Sequence, residues 1–285
     1  MILWLVLLLI FILGLFIGSF LNVVIDRVYR GEQFFRGRSY CELCKHTLEP
    51  KDLVPVFSYL RLKGKCRYCN GKIPLMLSVV ELTTGLAFAG LVYYLANLPG
   101  MASFSVQLIP AGIFYFLFLI TLLLIFFTDL KYYVIPNIYL YFLAGIYLVG
   151  GLVYYVSISH GGVLGTIGIQ FLSLVSFYVS IKGHLISALV MGLFFAILHF
   201  GSNKKAMGEG DIYLSAILAL FLGSVLSIVM WFVSFFTGAV TGVALVLVHR
   251  KKLKSKIPFG PFLIIGFVVS FLFGSVLFDL YLRLI

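Results

Sequence analysis

The sequence predicts an all-α integral membrane protein of about eight transmembrane helices with a cytoplasmic four-cysteine loop. Of its 285 residues, 62% are hydrophobic and only 11% charged, and the mean hydropathy of +1.13 lies far outside the balance of a water-soluble domain. Apolar runs of the roughly 20 residues that a spanning helix needs recur along the chain. One long polar stretch interrupts them, and it holds all four cysteines.

Residues 1–25 open without a basic stretch before the apolar run, and that run is longer than a signal-peptide core, so they are expected to stay as a first helix. A cytoplasmic basic loop follows at 26–74, with 11 Lys or Arg against 4 Asp or Glu between Arg27 and Lys72. The remainder, 75–285, forms the multi-helix part, with spans expected near 75–96, 106–127, 134–156, 184–200, 212–223, 226–248 and 260–282. Basic residues in short loops stay cytoplasmic. Eight spans place the basic loop, "NKK" at 203–205 and "HRKKLKSK" at 249–256 on that one side. Residues 163–181 are apolar enough to span, yet counting them would put "NKK" outside, so a re-entrant or surface-lying helix is expected there. The net charge of +11 then reflects topology and attraction to the anionic lipids of the bilayer. Nucleic acid is not an expected partner, because the basic residues flank membrane helices and no nucleic-acid module is present.

The cysteines form two pairs, "CELC" at 41–44 and "CRYC" at 66–69. Each C-x2-C turn can grip a metal with two thiolates, and two turns complete a closed four-sulfur shell of the kind zinc takes in structural sites. Cys41, Cys44, Cys66 and Cys69 are therefore the expected metal ligands. Reduced thiols on the cytoplasmic side fit this better than disulfides, and redox-active thiols are the alternative. His46 lies nearby, but four thiolates leave no vacancy for it.

Two acids stand in otherwise apolar sequence: Asp129 in "FFTDLKYYVIPN" and Asp211 in "MGEGDIYL". Each sits at the cytoplasmic end of an expected span, and an ionisable residue there is a functional candidate. Two carboxylates a few ångströms apart share one proton, so that one acts as base and its partner as acid. Taken singly, Asp211 also suits a helix N-cap and Asp129 a solvated helix end paired with Lys131.

Six stretches in order resemble the prepilin peptidases, or type IV leader peptidases, membrane aspartic proteases of the G-x-G-D kind. They are "GSFLNVVIDR" (18–27), the cysteine pairs with "VPVFSYLRLKGKCRYC" (54–69), "VVEL" (79–82), "TDLKYYVIPN" (128–137), "MGEGDIYLSA" (207–216) and "IPFGPFLIIG" (257–266). The resemblance implies that Asp129 and Asp211 are the catalytic pair. It also implies removal of the short basic leader from type IV prepilins or pseudopilins, after a glycine, at the cytoplasmic face of the bacterial inner membrane. Methylation of the new N-terminal amine, with S-adenosylmethionine as donor, is implied for many members. The chain departs from the family pattern at "VYRG" after Arg27, at Leu53, at "PLMLSVVEL" and at Tyr213.

Glu81 in "VVEL" is expected either to recognise an amine of substrate or methyl donor or to serve as a structural acid. Glu209 is expected in an exposed loop, and Ser19 and Asn22 in helix packing. A transporter with paired intramembrane carboxylates is a rival reading, against which stand the absence of paired halves and the cysteine loop. A presenilin-like intramembrane protease would share G-x-G-D, but this chain lacks the accompanying tyrosine-aspartate and proline-alanine-leucine motifs.

Overall fold

The computed structural model describes residues 2–34, 37–97, 109–160, 181–204, 207–248 and 257–284. The expected re-entrant segment at 163–181 and the basic run at 249–256 lie almost wholly outside these. The chain forms two compact units, Met1–Val106 and Gln107–Ile285.

In the first unit, α1 (Ile2–Arg30) and α3 (Leu75–Ala96) pack side by side, and a loop with the short helix α2 (Phe57–Arg61) joins them. Small residues set how closely they approach. A Cβ on Gly14 would lie 2.7 Å from the Gly85 Cα, and one on Gly18 2.7 Å from the Glu81 Cα. The G-x-x-x-G spacing thus gives α1 a groove that admits the α3 backbone, where packing replaces the hydrophobic drive that lipid cannot supply. Gly31 ends α1 at φ +72. Its N–H donates to Val28 and that of Glu32 to Arg27, which together satisfy two carbonyls of the last turn.

The second unit comprises α4 (Ile109–Tyr132), α5 (Asn137–His160), α6 (Ile181–Gly201), α7 (Glu209–Leu247) and α8 (Gly260–Leu284). The closest packing runs α6 on α7 and α7 on α8. The 39-residue α7 is broken at Gly223, whose φ of 75 and ψ of −174 are not helical. His184 Nδ1 takes the Leu220 carbonyl at 2.7 Å, and the Ser227 hydroxyl takes that of Gly223 at 2.5 Å. The Leu220 carbonyl, just before the break, thereby has a donor inside the protein, as a membrane interior requires. The two spans expected at 212–223 and 226–248 are accordingly two helical segments that meet at one glycine, with no loop between them.

Among the described residues five helices are long and apolar enough to cross a membrane: Ile2–Arg30, Leu75–Ala96, Gly112–Tyr132, Lys182–Gly201 and Glu209–Leu247. Two shorter apolar helices, Asn137–Leu152 and Gly260–Gly274, accompany them. Of the three spans by which this count falls short of eight, one is lost because the break in α7 does not separate its halves, and two because the helices at the expected spans 134–156 and 260–282 are counted among the shorter ones. Large side chains such as Leu189 and Phe232 stand exposed along the helices, which suits a lipid surround. No strand forms among the described residues, which hold two isolated bridges, Tyr40 with Thr47 and Lys65 with Lys72.

Candidate active site

Asp129 lies in the last turn of α4 and Asp211 in the first turn of α7, and both are buried. Asp129 Oδ2 accepts the Gly260 N–H at 3.0 Å, so the first residue of α8 is tied to the end of α4. Asp211 Oδ2 accepts the Gly208 N–H at 3.1 Å, closing the first turn of α7 on itself. The N-cap is therefore Gly208 and not Asp211 as expected; Asp211 stands at the third helical position and reaches back to the N-cap amide with one carboxylate oxygen only. The other, Oδ1, is buried with no partner among the described residues.

Ile135 brings these pieces together. A Cβ on Gly210 would lie 2.8 Å from the Ile135 Cβ, and one on Gly260 would lie 3.2 Å from its Cδ1. The turn after α4, with Tyr133 at φ 60 and its N–H on the Asp129 carbonyl, thus wedges between the starts of α7 and α8. Glycine is required at both contacts, since any side chain would displace the wedge. Gly260, whose amide donates to Asp129, and Gly210, the neighbour of Asp211, thus close on the same Ile135 side chain at one end of this unit.

His199, in the last turn of α6, escaped the sequence reading because five scattered histidines carry no spacing signal. It is 2% exposed. Its Nδ1 lies 2.7 Å from the Met207 carbonyl, which can only accept, so Nδ1 carries the proton. The ring anchors the loop that leads into "GEGD". Nε2 has no hydrogen-bond partner among the described residues and stands 3.8 Å from Glu209, which Lys204 also approaches at 3.7 Å. Glu209 itself is largely exposed, in keeping with a surface residue.

In the first unit the four cysteine sulfurs lie within 4.8 Å of one another, and none is in a disulfide. The two turns are built alike. The Lys45 N–H returns to the Cys41 carbonyl and the Asn70 N–H to that of Cys66. Lys45 and Asn70 take matching positive φ values of 57 and 56. A tetrahedral shell of thiolates at the usual zinc distance places sulfurs about 3.8 Å apart, and Cys41 and Cys69 are 4.0 Å apart. The cluster can therefore hold a metal ion. Beside it, Asp52 accepts from Arg67 Nε at 2.7 Å and from the Tyr68 hydroxyl at 2.9 Å. Burial opposes ionisation of Asp52, but these donors and the Glu49 amide outweigh it and hold the carboxyl below its ordinary range. His46 stacks on Tyr68 with ring centroids 3.7 Å apart and stands in the surface layer.

Glu81, in the second turn of α3, is 9% exposed. It accepts the Val56 N–H at 2.7 Å. Val56 has φ 58 and ψ −46, a three-residue turn closed by the Phe57 N–H on the Pro55 carbonyl. For a β-branched residue this conformation costs ~1–3 kcal/mol. Asn22 bridges α1 and α3 through the Leu77 carbonyl at 3.0 Å.

Apolar helices of spanning length, two buried acids at helix ends in one unit and a cysteine-clamped loop in the other define a membrane protein. Residues 12–95 match the bacterial peptidase A24 N-terminal domain, and residues 116–243 match the type IV leader peptidase family. The chain is 29% identical over 279 residues to the prepilin leader peptidase/N-methyltransferase of Bacillus subtilis, covering 96% of this chain and 97% of that protein. It is 31% identical over 240 residues to the protein of the same name from Myxococcus xanthus, covering 83% of this chain and 62% of that one. For the Aeromonas hydrophila protein of that name the figures are 28% over 296 residues, 95% and 92%. No solved structure matches the chain. It belongs to the type IV leader peptidase family.

Proposed function

We propose that the protein is a membrane aspartic endopeptidase that removes the leader from prepilins or pseudopilins and methylates the amine so exposed. The observation that carries the reading is that Asp129 and Asp211 are both buried, each with one oxygen fixed by a glycine amide, beside Gly210 and Gly260, which close on the one Ile135 side chain. The pair shares one proton. The ionised member takes a proton from water as the water attacks the peptide carbonyl, and the protonated member donates to the developing oxyanion. Asp211 Oδ1, orphaned in the protein alone, is the oxygen that faces the shared proton or the water. The flanking glycines leave room for an extended substrate to approach the backbone.

The acids stand at the cytoplasmic face of the inner membrane, where the hydrophobic helix of a prepilin leaves the bilayer. Charge placement in the sequence supports this orientation, with eight spans, the halves of α7 on either side of Gly223 counting as two. Basic loops then meet anionic lipid headgroups. Zinc occupies the four-cysteine cluster and fixes the loop without taking part in chemistry, since four thiolates leave no open position. S-adenosylmethionine is the methyl donor, and the amino-terminal unit with Glu81 serves that step.

Mass spectrometry of a model prepilin incubated with the purified protein in detergent, with and without S-adenosylmethionine, tests the reading. Loss of the leader mass, followed by a further methyl mass only with the donor, is expected. An intact prepilin after incubation with folded protein would contradict the peptidase assignment.

A further inference from the structure

Glu81 is not explained by its protein contacts. Latching the Val56 amide needs a hydrogen-bond acceptor, and a neutral amide would serve at lower desolvation cost than a carboxylate. Among the described residues no Lys or Arg forms an ion pair with it. Arg27, the buried cation of the same unit, is committed to the carbonyls of Gln33, Phe34, Gly37 and Arg38. Meanwhile the surroundings are arranged to hold the carboxylate in place. Gly18 lets α1 close on the Glu81 backbone, and the strained turn at Val56 aims an amide at Oε2. A fixed acid without a counter-ion near one end of an apolar helix is a site for a cation supplied from outside.

We propose that the Glu81 carboxylate, positioned by the Val56 amide, binds a primary ammonium group. Two reactants of an N-methyltransferase carry one: the amino terminus freed by leader cleavage and the α-amine of the sulfonium donor. The proposal rests on the methyl-transfer reading above and gives Glu81 the role of amine recognition in it. A carboxylate supplies the charge-assisted hydrogen bonds that discriminate an ammonium from a neutral or acylated nitrogen.

The test is calorimetric titration of the full-length protein in detergent. One arm uses a peptide of mature pilin amino-terminal sequence, with its amine free or acetylated. The other uses S-adenosylhomocysteine and its deaminated analogue. In the wild type a free-amine probe is expected to bind at least tenfold more tightly than its masked form, and the arm in which this occurs identifies the source of the amine. In E81Q the advantage is lost, whereas E81D retains part of it. Thermal unfolding serves as the control for fold, because the amide oxygen in E81Q still accepts the Val56 N–H. Equal binding of free and masked probes in both arms by the wild type, or an undiminished advantage in E81Q, would overturn the proposal. Binding is read without turnover, so a protein that fails to methylate contradicts the function while leaving amine recognition measurable.

Discussion

The Gly260 amide donates to Asp129 Oδ2 at 3.0 Å across 131 positions of sequence, and the space a Cβ would need at Gly260 is already filled by that same oxygen at 2.7 Å. The "PFGPF" segment is thus part of the acid site, a bond and a steric limit acting on one carboxylate. Gly260→Ala is expected to push Asp129 out of register and lower cleavage about 100-fold, the order of loss that a 1 Å misplacement brings. Overpacking destabilises by ~1–3 kcal/mol. Gly145→Ala, with nothing within 4 Å of its Cβ, is the control, with cleavage at the wild-type rate. Steady-state cleavage with thermal unfolding on both variants separates the two effects.

His199 holds the Met207 carbonyl and through it the approach to Asp211. His199→Ala leaves that carbonyl unmet and is expected to slow cleavage about tenfold, the upper end of what one neutral hydrogen bond contributes. His199→Asn can still donate to the carbonyl and should restore part of the rate. Equal rates for the two variants would show that the ring acts by packing alone.

How much of this was legible in the sequence follows from how local each feature is. The cysteine cluster was readable, because each half is a four-residue turn and the donor set declares itself by spacing. The acids were visible as charges in apolar runs, but their common environment depends on Ile135 and Gly260, which meet only in the folded unit. The "GLFIG" groove on α1 was in plain sight as a small-x-x-x-small pattern and went unread. Nothing in "VPVF" signals a left-handed valine, since propensity argues against that conformation. The two expected spans at 212–223 and 226–248 form one broken helix, and no local rule says that a single residue, Gly223, suffices to join them.

The four-sulfur cluster is expected to carry one zinc ion per chain. Cys41→Ser, or prolonged treatment with a strong chelator, should release it and open residues 37–73 to protease, because a closed thiolate site contributes folding energy to its loop. Elemental analysis beside limited proteolysis checks both. A metal-free protein with a protease-resistant loop would contradict a structural role.

The Asp52–Tyr68 clamp beside that cluster has a pH window with two limbs. Asp52 titrates below its ordinary 3.8, so its contribution is complete above that value and is lost as pH falls through the lower folded one. The Tyr68 phenol is pushed up to about 12 by burial and by Asp52, so its contribution is complete below the ordinary 10.0 and is lost as pH rises through about 12. Between those limits the clamp adds a constant amount. Thiolate protonation also loosens the loop in acid, so the clamp is read as the difference between wild type and Asp52→Asn. That difference in protease resistance is expected to be flat from pH 5 to 9.

The central claim is that Asp129 and Asp211 act as one unit. The most direct measurement is a double-mutant cycle on leader cleavage with Asp129→Asn, Asp211→Asn and the double variant, each of which keeps an acceptor for the Gly260 or Gly208 amide and so should keep its fold. Each single substitution is expected to lower the rate by at least ~100-fold, the lower range for a lost general acid or base, and the double variant by little more than either alone. A single variant that cleaves at the wild-type rate, or losses that multiply as for independent sites, would contradict it.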